Sequence, residues 1–414
     1  MRDARWFQLT SFAFTLFFTS VETLCWADLS SGIQAYERHD YDTALKELRP
    51  LAQQGEPSAR LMLGYLYAHG EGVQQDHARA LEWFRLAAEK DNVLAQLNLG
   101  MMLDAGSGVP QDYHEAARWF RQAAAHGNET AQLNLGLMYS KGHGVVRDYT
   151  EAARWFRKAA AQGNATAQVN LGHLYVKGQG IPQNYVQAVH WFHQAAEQGN
   201  DLAQFNLGLM YAQGHGVPQN YVEAGQWYRL AADHGNVSAQ VNLGLMYAKG
   251  QGVPQDYSEA ARWLRHAADQ GNATAQTSLG LVYLKGHGVT QDYHEAERWF
   301  RLAADKGNAS AQLNLGLLYA RGQGVPQNYR EAEQWVRRAA DQGDATAQAN
   351  LGVFYAKGYG VVQDYVQAYA WLTLAGGQGH KDAIALRDDH IAKQMSAGQI
   401  AEAQRLIKGW HMSG

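Results

Sequence analysis

A tryptophan returns every 36 residues, nine times: Trp83, Trp119, Trp155, Trp191, Trp227, Trp263, Trp299, Trp335 and Trp371. A Leu-Gly pair keeps the same beat, with its glycine at Gly64, Gly100, Gly136, Gly172, Gly208, Gly244, Gly280, Gly316 and Gly352. A fixed period of this length means one supersecondary unit stacked on copies of itself. Such a unit cannot bury its apolar face alone, so the stack is the fold. Stacked arrays offer long ligand surfaces and seldom a closed catalytic pocket.

Each unit reads as two helices. In residues 237–272, Ala239, Leu243, Gly244 and Tyr247 fall on one helical face. Gly250 and Gly252 then break the pattern, and Pro254 precedes the next helix. Tyr257, Ala260, Trp263, Leu264 and Ala267 repeat the three-and-four spacing. Gly271 suits the left-handed position after a helix end. Asn272 suits the N-cap of the following helix. Small residues at Ala239, Gly244, Ala260 and Ala267 allow close helix approach, and Tyr247, Tyr257 and Trp263 fill what remains.

The period, the pattern AQxNLGxxYxxGxGVxQDYxEAxxWxRxAAxxGN and the long glycine loop resemble the Sel-1-like repeat, a branch of the tetratricopeptide-like helical repeats. The resemblance implies an all-α fold, a right-handed superhelical solenoid of antiparallel helix pairs. It covers nine 36-residue repeats over 57–380. A degenerate capping repeat is expected at 28–56, where Tyr41, Ala44, Leu48 and Leu51 share a helical face. Capping helices are expected at 381–414, with Ile400, Ala403, Leu406, Ile407 and Trp410 in the last. The resemblance further implies an adaptor that binds other proteins. In bacteria such proteins are often exported.

Residues 1–27 read separately. Arg2 and Arg5 precede an apolar run from Phe7 to Val21, and Cys25-Trp26-Ala27 offers a cleavage junction. This is a signal-peptide pattern, which implies a periplasmic or secreted mature chain. The alternatives are an anchor and a mis-assigned start. The run is shorter than the roughly 20 residues that span a bilayer, so no stable membrane insertion is expected after cleavage. Leu24 disfavours a lipoprotein signal at Cys25, the single cysteine. The mature chain then has no thiol and no disulfide staple.

The formal net charge is −4, and the basic residues are spread through the repeats. That pattern carries no field for nucleic acid. No Ser-x-x-Lys nucleophile pattern occurs, and no cofactor is implied. Gly-x-Gly recurs in every repeat, but no strand precedes it, so it reads as a turn and not as a dinucleotide fingerprint. Triplets such as Asn164-Ala165-Thr166 read as helix caps.

The leading binding candidate is a polar ladder. Asn98, Asn134, Asn170, Asn206, Asn242, Asn314 and Asn350 precede the Leu-Gly pairs, and Met62 and Ser278 break the series. They belong to a stripe at positions 2, 6, 9 and 13 of the repeat. Position 13 is often basic: Lys141, Lys177, Lys249, Lys285, Arg321 and Lys357. An amide both donates and accepts, which suits a peptide backbone. The same regularity is explained if each asparagine bonds to the adjacent helix and shapes the stack. Among the histidines, His143, His215 and His287 alternate with glutamine at a 72-residue period, the mark of a duplicated repeat pair. Spaced two repeats apart, they are too far apart to share a metal. His190 and His193, with His173 on the partner helix, form the one metal candidate.

The expected function is a non-catalytic scaffold for a protein or peptide partner. The alternative is a cell-envelope hydrolase, or a regulator of one, acting on cell-wall material. Intact-mass measurement on protein from its native host should give a chain beginning near Asp28. A retained Met1 on a cytosolic protein would remove both the signal and the compartment.

Overall fold

Pairs of short helices, joined by glycine loops, repeat along the chain in a computed structural model that describes residues 22–412. The described residues form 22 α-helices and no strand. The apolar run of the expected leader, 7–21, lies outside the described residues. None of the described helices is long and apolar enough to cross a membrane. The chain divides into two compact units, residues 1–191 and 192–414.

The first unit opens with the pair Glu22–Glu37 and Tyr41–Gln54. Ala44, Leu48 and Leu51 are buried in the core. A tight turn replaces the glycine loop here, with His39 at φ 62°. The pairs Pro57–His69 with His77–Ala88, Val93–Ala105 with Tyr113–Ala125, and Glu129–Lys141 with Tyr149–Ala161 follow. In the second unit the pairs run from Asp201–Gln213 with Tyr221–Asp233 to Ala345–Lys357 with Tyr365–Gly377. Lys381–Leu386, a π-helical turn at Arg387–Ile391 and the helix Ala397–Met412 end the unit. Trp410 packs on Trp371 with ring centroids 4.6 Å apart.

Local chemistry sets the boundaries. Asn272 accepts from the Ala275 N–H and starts the helix Ala273–Lys285, while Asp256 caps Tyr257–Asp269. Asn164 likewise caps with its side chain. Gly250 ends its helix at φ 67°, with its N–H on the Met246 carbonyl. Gly252 must be glycine for a second reason. A Cβ there would lie 2.1 Å from the Tyr221 carbonyl oxygen of the preceding repeat.

Two contacts fix the helices within and between repeats. The Leu-Gly glycine accepts a ring or branched side chain from the second helix. A Cβ on Gly280 would sit 2.6 Å from Phe300, and one on Gly136 would sit 2.7 Å from Phe156. Each tryptophan then packs back on the preceding repeat. Trp263 shares a cluster with Ala224 and Tyr228 of the repeat before it and with Leu243 and Met246 of its own. Trp119, Trp155, Trp263, Trp299, Trp335 and Trp371 are buried. Trp83, Trp191 and Trp227 are only half-buried. Trp227 meets the edge of the His193 ring at 5.6 Å.

A buried glutamine at position 4 stitches three helices. Gln240 Nε2 donates to the Ala232 carbonyl of the preceding repeat at 3.2 Å. Its Oε1 accepts from Gln270 Nε2 at 2.9 Å. Gln132, Gln312 and Gln348 accept from Gln162, Gln342 and Gln378 in the same way. His234 takes that place against Gln204. Gln96 and Gln276 lack this partner, and their Oε1 atoms are buried and unbonded.

Gln240→Leu should lower the denaturation midpoint more than Gln96→Leu. The first leaves the buried Ala232 carbonyl unpaired, at about 1–3 kcal/mol, and takes from Gln270 Nε2 one of its two acceptors. The second frees only the Ala88 carbonyl. Equal shifts would show that the stitch is not what holds the repeats. Trp263→Ala should cost about 3–5 kcal/mol. Trp227→Ala should cost less by the same chemical-denaturation assay, because its ring has less area to lose.

Candidate partner-binding face

The first helix of each repeat presents one open stripe. Positions 3, 4, 7, 8 and 10 point into the core, as Ala239, Gln240, Leu243, Gly244 and Met246 do in 237–272. Positions 2, 6, 9 and 13 lie opposite, at 3.6 residues per turn. Position 2 is exposed at Thr166, Ser238, Thr274, Ser310 and Thr346. Position 9 is apolar and half-buried at Leu137 in the first unit and at Leu245, Leu281, Leu317 and Val353 in the second. Lys141, Lys177, Lys249, Lys285, Arg321 and Lys357 at position 13 are exposed. These cations also sit in the last helical turn, where the macrodipole favours them.

The asparagines lie on the shoulder of this stripe. Asn98 and Asn206 are buried, and Asn134, Asn170, Asn242, Asn314 and Asn350 are half-buried. Most bond to their own helix. Asn98, Asn170, Asn206, Asn314 and Asn350 donate from Nδ2 to the carbonyl four residues back, at 2.7–2.8 Å. Asn98 also donates to the Tyr65 hydroxyl at 2.7 Å. Burial pushes the Tyr228 phenol up to about 12, and a hydrogen bond from Asn242 opposes that shift. Thus the amides at Asn170, Asn314 and Asn350 keep one N–H and the Oδ1 acceptor for another molecule. The doubly bonded Asn98 keeps only its acceptor. Asn98 and Asn242 each bond to a tyrosine on another helix.

Charge differs along the array. In the first unit, burial raises the Asp104 carboxyl, while His143 and Lys141 pull it down. Lys141 therefore has an acid in its field. In the second unit position 12 is apolar or small: Ala248, Leu284, Ala320 and Ala356.

A second ladder escaped the sequence reading. An arginine at position 29 reaches the tyrosine hydroxyl at position 11 of the next repeat, 18 residues on. Arg121 donates to Tyr139 at 3.2 Å, Arg157 to Tyr175 at 3.4 Å and Arg229 to Tyr247 at 2.5 Å. Arg265, Arg301 and Arg337 meet Tyr283, Tyr319 and Tyr355 likewise. Arg229 also lies 5.6 Å over the Trp263 ring. This clamp ties repeats together. Its signal was the constant offset of 18 residues, visible only when two repeats are read at once. His193 occupies the arginine position in its repeat and pairs with Glu197 at 3.4 Å.

The loop histidines have local roles. His143 packs tilted against Tyr113 and His287 against Tyr257, each with ring centroids 4.6 Å apart. Tyr359 on Tyr329 repeats the contact with a second tyrosine. His190 lies edge-on to Trp191. Among the described residues no three His, Cys, Asp or Glu side chains gather to hold a metal.

The tandem helix pairs define the chain as an α-helical repeat solenoid. The Sel1 repeat profile matches residues 57–92, 93–128, 130–164, 165–200, 201–236, 237–272, 273–308, 309–344 and 345–380. The chain belongs to the Sel1 repeat family. It is similar to a Sel1 repeat protein from Oxalobacter formigenes at 36% identity, covering 84% of this chain and 98% of that one, with a TM-score of 0.61. It is also similar to c5321 of Escherichia coli, a protective antigen present in uropathogenic strains and displaying an SLR fold. That match has 34% identity, covers 95% of this chain and 94% of the other, and has a TM-score of 0.53. Comparison with curated proteins gives no match.

Asn98→Ala should destabilise the first unit by about 1–3 kcal/mol, because the Tyr65 hydroxyl loses its donor inside the core. Asn350→Ala breaks a solvent-exposed bond and should cost well under half as much. Denaturation midpoints of the two variants check the ordering. The reverse order would place the buried asparagine outside the packing scheme.

Proposed function

We propose that this protein is an exported, non-catalytic scaffold that binds a protein or peptide through the open stripe of its first helices. The observation that carries this reading is the composition of that stripe in the second unit. Hydroxyls at Ser238, Thr274, Ser310 and Thr346, half-buried apolar side chains at position 9 and exposed cations at position 13 recur side by side. Partly satisfied amides at Asn314 and Asn350 lie between them. Such a surface offers apolar contact, hydrogen bonds and charge to an extended chain. The family's usual role as an interaction scaffold supports the same reading. Export rests on the pattern of Arg2, Arg5, the apolar run and Ala27. It is supported by the antigen character of the related Escherichia coli protein.

The test is capture from extracts of the native host with the full chain, followed by affinity measurement on the captured partner. Asn242→Ala, Asn314→Ala and Asn350→Ala combined should weaken binding by about tenfold or more, the scale of losing a few hydrogen bonds. The same variant should stay folded, with its stability lowered chiefly by about 1–3 kcal/mol where the buried Tyr228 hydroxyl loses its Asn242 donor. Unchanged affinity in a folded triple variant would move the interface off this face.

A further inference from the structure

The loop of the last repeat departs from the series. Position 15, between the two loop glycines, alternates histidine and glutamine from His143 to Gln323 and then becomes Tyr359. Backbone contacts fix its place. Gly358 and Gly360 flank it at φ 71° and 73°. Gly360 lies so close to the Tyr329 carbonyl oxygen that no Cβ fits between them. The Tyr359 ring therefore stacks on the Tyr329 ring, with centroids 4.5 Å apart and planes 15° from parallel. Tyr113 and Tyr257 hold the corresponding place in their repeats, but each faces a histidine. Of these three contacts, only the last joins two phenols.

The pair is also open to reagents. Tyr359 is 38% exposed, and Tyr329 is half-buried. The Tyr329 oxygen accepts from Gln327 Nε2 at 3.1 Å, a bond that does not use the phenol's own proton. Other tyrosines are less available. Tyr36 and Tyr41 cross at 64° with centroids 5.7 Å apart, Tyr36 is buried, and the Tyr41 hydroxyl is bound by His39 and Glu71. The hydroxyls of Tyr247, Tyr283, Tyr319 and Tyr355 each take an arginine.

We infer that Tyr329 and Tyr359 form a modification site, at which a peroxidase-class one-electron oxidant joins the two rings as dityrosine. Each phenol gives up one electron and its hydroxyl proton. The two phenoxyl radicals couple through ring carbons ortho to their oxygens. The hydrogen on each of those carbons then moves to the oxygen and restores both aromatic rings. The chain loses two hydrogens in all. One hydrogen peroxide takes up the two electrons and two protons and becomes two waters. The stack favours this coupling because the second radical forms in contact with the first, with no diffusional encounter to wait for. The bond ties repeat 309–344 to repeat 345–380 in a chain whose single cysteine, Cys25, can form no internal disulfide. Like a disulfide, it restricts the unfolded chain.

The experiment treats the dilute full chain with hydrogen peroxide and a haem peroxidase. A monomer lighter by two hydrogens should appear and carry dityrosine fluorescence. Trypsin should then release peptide 322–330, in which Tyr329 is the only tyrosine, joined to peptide 358–381 through Tyr359. Tyr359→Gln should lose this product. Glutamine fills the same position at Gln179, Gln251 and Gln323, so the loop tolerates it. Tyr359→His, the residue of His143 and His287, is a second variant with the same expected loss. Absence of the lighter monomer, cross-links that form only between chains, a join that maps to other tyrosines, or a product that persists in either folded variant would each overturn the inference.

Discussion

A buried glutamine that gives its amide N–H to the second helix of the repeat before it governs how these repeats meet. The position 4 glutamine sits where the second helix of one repeat, the first helix of the next and that repeat's own closing turn converge. Its Nε2 and Oε1 address different helices, so both bonds form only at one separation and one rotation. An apolar residue of similar size would pack there but would leave a buried carbonyl unpaired. The stitch therefore selects one stacking geometry from the several that a greasy interface would tolerate. The Arg–Tyr clamp does the same work nearer the surface, at a fixed offset of 18 residues.

The glycine beside the leucine and the ring opposite it act within a repeat. Gly64, Gly100 and Gly280 meet Phe84, Phe120 and Phe300, while Gly208, Gly244 and Gly316 meet Tyr228, Leu264 and Val336. The pocket accepts several shapes because glycine removes the opposing Cβ. The tryptophan then carries the contact on to the preceding repeat. Its indole N–H is met by Glu115, Glu295 and Glu331 in three repeats and is left buried and unbonded at Trp155, Trp191, Trp263 and Trp371. Packing, and not the hydrogen bond, is thus what the position requires.

Helix pairs, caps and left-handed glycines were legible from one repeat, because they depend on residues within a few positions of each other. Asn272 as an N-cap and Gly250 as a helix end follow from local preference alone. The glutamine stitch was hidden in plain view. Gln240 is as regular as the tryptophan, yet a polar residue on a helix reads as surface until its neighbours in two other helices are known. Trp227 breaks the pattern of the buried tryptophans, although its spacing is the same. Its repeat follows one with His193 in the arginine position, and the two rings meet edge-on. The asparagine stripe was placed on the correct helix. The back-bond to the carbonyl four residues earlier could not be read from spacing, since it depends on how deeply each side chain sits.

The recurring hydrogen bonds that join repeats span constant numbers of residues, 8 for the glutamine stitch and 18 for the clamp, and the bond that completes the stitch inside its own repeat spans 30. A join made by excising or inserting a whole 36-residue module restores all of them without a new core. The gene can therefore lengthen or shorten in register, and the alternating His and Gln of the loops, at twice the period, is the imprint of one such event copying two modules together. Array length becomes a quantity that inheritance can count in integers, and with it the number of first-helix stripes that the stack presents.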